Sequence, residues 1–96
     1  MVTLWSFRSP PVTVVDGMTK RLDTHVAKDF GARLRTLRDA AEISQERLAH
    51  DAGLSWSTVS QVERGDRSVR LPTLLRLAAA LGVTPGELLD GIRPPT

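Results

Sequence analysis

Residues 45–64 read QERLAHDAGLSWSTVSQVER, and this stretch decides the fold. It reads as two short helices joined by a tight turn. Ser44 stands before the first, where its hydroxyl can cap the free amides of the opening turn. Leu48, Ala49 and Ala52 supply one apolar face at spacings of one, three and four. Gly53 stops that helix, because glycine takes the left-handed conformation without a Cβ penalty. Leu54 follows and plugs the corner. Ser55 caps the second helix, in which Val59 and Val62 point inward. Trp56, Ser57, Ser60 and Gln61 point elsewhere.

Ala49 is small where the two helices must cross closely. A small residue at the crossing, glycine in the turn and aliphatics on both flanks make a helix-turn-helix pattern. Such a pattern places its second helix in the DNA major groove. The stretch from about Phe30 to Leu89 resembles the Cro/C1-type (XRE-family) helix-turn-helix domain of phage and bacterial repressors. The residues that carry the resemblance are ISQERLAHDAGLSWSTVSQVERG, at 43–65, and LPTLLRLAAALGVTPGELL, at 71–89. It implies an all-α, five-helix, lambda-repressor-like DNA-binding domain. Residues 1–24 fall outside as an N-terminal arm, extended or of β-strands. Residues 25–91 form the domain, with the motif at 45–64, and 92–96 form a tail.

Composition agrees. Ninety-six residues make one domain, and at this size roughly 60–70% of the unfolded surface can be buried. The chain is 41% hydrophobic with two Trp and two Phe, which suits a small Leu/Ala-rich bundle. Net charge is +2 and the sequence pI is about 9.9, so non-specific affinity for nucleic acid should be moderate. There is no cysteine, which removes disulfides, thiolate metal sites and cysteine catalysis. No apolar run approaches the length that crosses a membrane. No secretory signal stands at the N-terminus. The expectation is a cytoplasmic protein acting on the chromosome, with no residues left for a small-molecule effector domain.

In the arm, Val2–Phe7 and Val12–Val15 are β-prone and flank Ser9-Pro10-Pro11. Either the arm packs on the domain or a second subunit, or it is an extension upstream of a natural start at Met18. Asp23 or Thr24 can cap a first helix that runs to about Ala41. Phe30, Leu34, Leu37 and Ala41 form its buried stripe. Lys28, Arg33 and Arg35 lie off the stripe, as solvated surface or as phosphate contacts. Arg38 resembles the helix 1 arginine of the family that pairs with the glutamate near the end of the recognition helix, here Glu63. Gly65 ends that helix. Pro72 opens a fourth helix, and Leu74, Leu75, Leu77, Ala78 and Leu81 make it apolar on most sides, at the centre of the core. Gly82 terminates it. Thr84-Pro85-Gly86-Glu87 reads as a capping box with proline at the first helical position.

The resemblance assigns base contacts to Trp56, Ser57, Ser60 and Gln61. Gln61 can bond an adenine edge and Trp56 can meet a thymine methyl. An inward Trp56, buried as core, is the competing reading. Gln45, Ser55, Thr58, Arg64, Arg67 and Arg70 are the phosphate candidates. Plain capping for Gln45 and solvated surface for each arginine are their alternatives. His25 and His50 are the only histidines. No glycine-framed nucleophile stands near a serine, and two histidines without cysteine make no recognisable metal site. Neither an enzyme nor a cofactor is expected. The reading is a homodimeric regulator of transcription, a repressor, bound to double-stranded DNA. The alternative is an antitoxin or controller-type protein that binds DNA and a partner protein.

Overall fold

Five helices follow one another in the computed structural model, which describes residues 12–94. They are α1 (Val12–Ala40), α2 (Gln45–Ala52), α3 (Trp56–Glu63), α4 (Leu71–Leu81) and α5 (Pro85–Leu88). No strand occurs among the described residues. The β-prone run Val2–Phe7 lies outside them.

α1 starts earlier than the sequence suggests. Its 29 residues run straight through Asp23 and Thr24, so neither caps it. Val12–Val15 belongs to its first turns and not to a strand. Once later turns are fixed by packing, each residue added upstream gains a hydrogen bond without paying for nucleation. Met18, Lys20, Arg21 and Leu22 are good helix formers, whereas the β-preference of valine depends on having a sheet to join. At the other end, Ala41 is exposed and lies beyond the helix, so the buried stripe stops at Leu37. Glu42 takes φ of 59° and reverses the chain, a conformation unusual for a residue with a Cβ.

The core gathers one face of each helix. Leu34, Leu48, Val59, Val62, Leu77 and Leu88 are fully buried, with Phe30, Ala49 and Ala52 nearly so. α1 crosses α3 at Gly31, which is itself buried. α4 departs from the all-round burial expected of it. Leu74, Leu77 and Ala78 face the core, while Leu71 is 68% and Leu75 47% exposed. One stripe is all that so small a core can accept from an eleven-residue helix; Leu81 packs at its edge, and Leu71 and Leu75 are left outside.

α5 is held by its ends. Thr84 Oγ1 accepts from Glu87 N at 3.1 Å, and Glu87 Oε1 accepts from Thr84 N at 2.9 Å, the expected capping box. Arg33, read from the sequence as solvated surface or a phosphate contact, bonds within the protein. Its Nε and Nη2 both donate to the Glu87 carbonyl, at 3.0 and 2.7 Å, and tie α5 to α1. The Thr84 backbone amide, more than any other group, holds the Glu87 carboxyl below its ordinary value. A lowered folded-state value adds stability that is present above the unfolded carboxylate range and lost as pH falls through the folded value. Glu87→Gln keeps an acceptor in the box but no charge. The gap in melting temperature between the native chain and Glu87→Gln should therefore narrow on acidification. A gap that stays constant from neutral pH to pH 3 would show that the charge contributes nothing.

Candidate nucleic-acid interface

α2, the turn and α3 are built by local capping. Ser44 Oγ accepts from Arg47 N at 3.0 Å, and Ser55 Oγ accepts from Thr58 N at 3.1 Å. Gly53 closes α2 at φ of 69°, and Leu54 N returns to the Ala49 carbonyl at 2.8 Å. The pair of helices is thus fixed at both N-termini and at the corner before any long-range contact is counted.

α3 has two sides. Val59 and Val62 are fully buried and press it onto the core. At about 100° per residue, Ser57, Ser60, Gln61 and Arg64 fall on the opposite arc, and Trp56 stands on its flank, about 90° from the Val59–Val62 centre. Trp56 is 58% exposed, so its indole does not belong to the core. Ser57 is exposed, and Ser60 and Gln61 are half-buried. These side chains bond among themselves. Gln61 Nε2 donates to Ser57 Oγ at 3.4 Å, and Arg64 Nη1 donates to Ser60 Oγ at 2.7 Å. Arg64 Nε also reaches Asp66 at 2.9 Å, so an anion contacted by Arg64 must compete with that carboxylate.

The other phosphate candidates border this face. Ser55 and Thr58 share a hydroxyl–hydroxyl bond of 2.8 Å. Arg67 and Arg70 are exposed and line a cavity of about 170 Å³ with Leu54, Thr58, Ser68 and Thr73. Arg67 Nη1 lies 3.5 Å from Gln61 Oε1. Gln45, also a phosphate candidate, bonds to two side chains of α3. Its Nε2 donates to Glu63 Oε1 at 2.9 Å and its Oε1 accepts from Trp56 Nε1 at 3.0 Å. Only the second hydrogen of its amide group is left for a phosphate.

Behind the face sits the ion pair that the family resemblance implied. Arg38 Nε and Nη2 meet Glu63 Oε2 and Oε1 at 2.5 and 3.1 Å, a bidentate fork. Arg38 Nη1 also donates to the Ile43 carbonyl at 2.8 Å. The side chains are 12% and 3% exposed. Hydrogen bonding to Glu63, above all, raises the guanidinium further above its ordinary value. The pair locks the C-terminal end of α3 against α1.

His50 is a surface group, 86% exposed, 3.3 Å from Asp51. Bonds from Arg47 and then His50 hold the Asp51 carboxyl below its ordinary value. Among the described residues, no cluster of three or more His, Cys, Asp or Glu could hold a metal. No helix there is long and apolar enough to cross a membrane.

Residues 29–90 match the family model described as "Helix-turn-helix domain". The chain belongs to this family. It is a helix-turn-helix DNA-binding regulator of the kind the Cro/C1 resemblance implied. It is 40% identical over 62 residues to control protein C.BamHI of Bacillus amyloliquefaciens, covering 64% of this chain and 76% of that one. It is 33% identical over 61 residues to the cryptic phage CTXphi transcriptional repressor RstR of Vibrio cholerae, covering 64% and 55%. Among solved structures it resembles the restriction-modification controller protein C.AhdI of Aeromonas hydrophila. That match has 52% identity and a TM-score of 0.64, and it covers 65% of this chain and 90% of the other.

Sequence reasoning missed the close approach at Gly31, the Arg33 bond that ties α5 to α1, and the bridge made by the Gln45 amide. Each acts across elements far apart in sequence. No local signal marks them.

Proposed function

We propose that the protein is a sequence-specific regulator of transcription that binds double-stranded DNA as a homodimeric repressor, with α3 in the major groove. Trp56, Ser57, Ser60 and Gln61 read base edges. Ser55, Thr58, Arg64, Arg67, Arg70 and the remaining Gln45 N–H meet phosphates. The observation that supports this best is the outward face of α3, polar and aromatic, held from behind by a part-buried ion pair. The reading involves no catalysis and no cofactor, and it places the protein in the cytoplasm, at the chromosome. Selection of bound sequences from random duplex tests it: enrichment of a two-fold symmetric site is expected, and no enrichment would refute it.

A controller role is the second reading, favoured by the likeness to C.BamHI and C.AhdI. The selected site would then lie upstream of restriction–modification genes in the host. A stoichiometric small protein captured with the chain would instead favour an antitoxin.

Two-fold symmetry requires a dimer, because one domain covers half a site. The exposed Leu71 and Leu75, four apart on the outer side of α4, together with the exposed Leu89, offer apolar surface for a second copy. Solution mass at about 100 micromolar should then be twice 10.5 kDa, given a dissociation constant near micromolar. The two α3 helices would sit about 34–36 Å apart. A strictly monomeric mass at that concentration would remove the dimer.

Arg67→Ala tests the phosphate assignment. Losing one arginine contact should weaken all sequences alike and flatten the salt dependence by about one unit of slope. A changed base preference instead would move Arg67 to the bases, a live alternative since it stands 3.5 Å from Gln61.

A further inference from the structure

Four side chains form one chain of hydrogen bonds from α1 to the tip of α3, with donors converging on the Glu63 carboxylate from both sides. Arg38 donates to Glu63, Gln45 donates to Glu63, and Trp56 donates to Gln45. Its polarity is fixed by chemistry. The Glu63 carboxylate, forked by Arg38, offers only acceptors. Gln45 must therefore turn its NH₂ inward, which turns its carbonyl oxygen toward Trp56. The indole is a donor only, and that oxygen takes its one N–H. The rest of the indole is carbon, and the residue is 58% exposed.

We infer that Gln45 is a positioning residue that engages the Trp56 N–H in a surface hydrogen bond within the protein, so that Trp56 reads its base pair only through a pyrimidine C5-methyl group. A free indole N–H would favour the acceptors of the major groove, the N7 and O6 of guanine or the O4 of thymine. With the donor engaged, those acceptors gain nothing from the ring, and apolar contact with a C5-methyl is what remains. Thymine carries that methyl, as does 5-methylcytosine; uracil and cytosine lack it. The inference rests on the reading of α3 as the recognition helix and assigns the chemistry of one position within it.

The test starts from the selected site. The base pair read by Trp56 is the one whose preference is lost in Trp56→Ala. Replacing its thymine by deoxyuridine should weaken binding about three- to tenfold in the native chain, as expected for one buried methyl in a good contact, and leave Trp56→Ala unaffected. At the same position, 5-methylcytosine should bind better than cytosine by a similar factor. Gln45→Leu removes the acceptor and frees the N–H; the thymine-to-uracil ratio should shrink toward one at that position and stay unchanged elsewhere. A uniform loss of affinity in Gln45→Leu with the ratio intact would make Gln45 a structural residue and overturn its assignment. Equal binding of thymine and uracil by the native chain would overturn the methyl readout, whether or not Gln45→Leu folds. Failure to enrich any sequence would defeat the recognition reading itself, and the inference with it.

Discussion

Gly31→Ala is expected to destabilise the domain by about 3 kcal/mol or more, enough to unfold a marginal chain of this size. A Cβ built on Gly31 would lie 2.2 Å from the Val62 carbonyl oxygen and 2.7 Å from that of Glu63. Both obstacles are backbone, so no rotamer change relieves them. α1 would have to lift off α3, opening the contact among Phe30, Leu34, Val59 and Val62, all buried. Interiors are close-packed and transmit such a shift. The same shift would pull Glu63 from Arg38, so the recognition helix would lose its clamp as well. Two controls separate sterics from glycine loss in general. At Gly86 an added Cβ meets only Thr84 Oγ1, at 3.8 Å, and Gly86→Ala should be neutral. At Gly53 nothing lies within 4 Å, but φ is 69°, so alanine there should cost only about 1 kcal/mol of backbone strain. Urea midpoints at constant slope measure all three. If Gly31→Ala fell within about 0.5 kcal/mol of the native chain, the helix crossing would be far softer than its geometry implies.

The contrast among these glycines shows what a sequence can reveal. Gly53 was legible because its role is local: it follows an apolar periodicity and precedes a serine cap, and chain geometry alone requires a left-handed residue there. Ser44, Ser55 and the Thr84–Glu87 box were legible for the same reason. Gly31 was not, because nothing within a few residues of it predicts which carbonyls will pass overhead. Arg33 looked like surface charge because its partner, the Glu87 carbonyl, comes 54 residues later. The start of α1 was misjudged because Asp23 and Thr24 are good caps only where a helix has no reason to continue. Leu71 and Leu75 are apolar but exposed, since hydrophobicity says that a residue seeks cover and not whether this chain supplies it. The outward face of α3 was legible from periodicity: two valines three apart define the inside, and the rest follows at about 100° per residue. The pairing of Arg38 with Glu63, 25 residues apart, came from family resemblance and not from spacing. The linking amide of Gln45 needed the structure itself.

That pair supplies the second large effect. Arg38→Met and Glu63→Leu should each cost about 3–5 kcal/mol, and the double change should recover part of the loss. Arg38→Met leaves Glu63, 3% exposed, with Gln45 as its remaining partner and no compensating charge. Glu63→Leu leaves an Arg38 side chain 12% exposed, still bonded to the Ile43 carbonyl but with only the exposed Asp39, at 3.6 Å, to match its charge. In the double variant no buried charge remains, and two apolar side chains of similar reach can pack where the fork was. Gln45 then loses its acceptor, so recovery should stop short of the native value. The coupling should survive salt, because a pair this enclosed is screened far less than a surface pair; raising sodium chloride from 0.1 to 1 M should leave most of it. It should also reach the DNA. Without Glu63 the Gln45 amide keeps only its bond from Trp56 and loses the acceptor that turns its NH₂ inward, so discrimination at the Trp56 position should weaken in the double variant even where folding is restored. Strictly additive single effects would mean that the two side chains act independently, and a salt-sensitive coupling would mean that the pair is open to water.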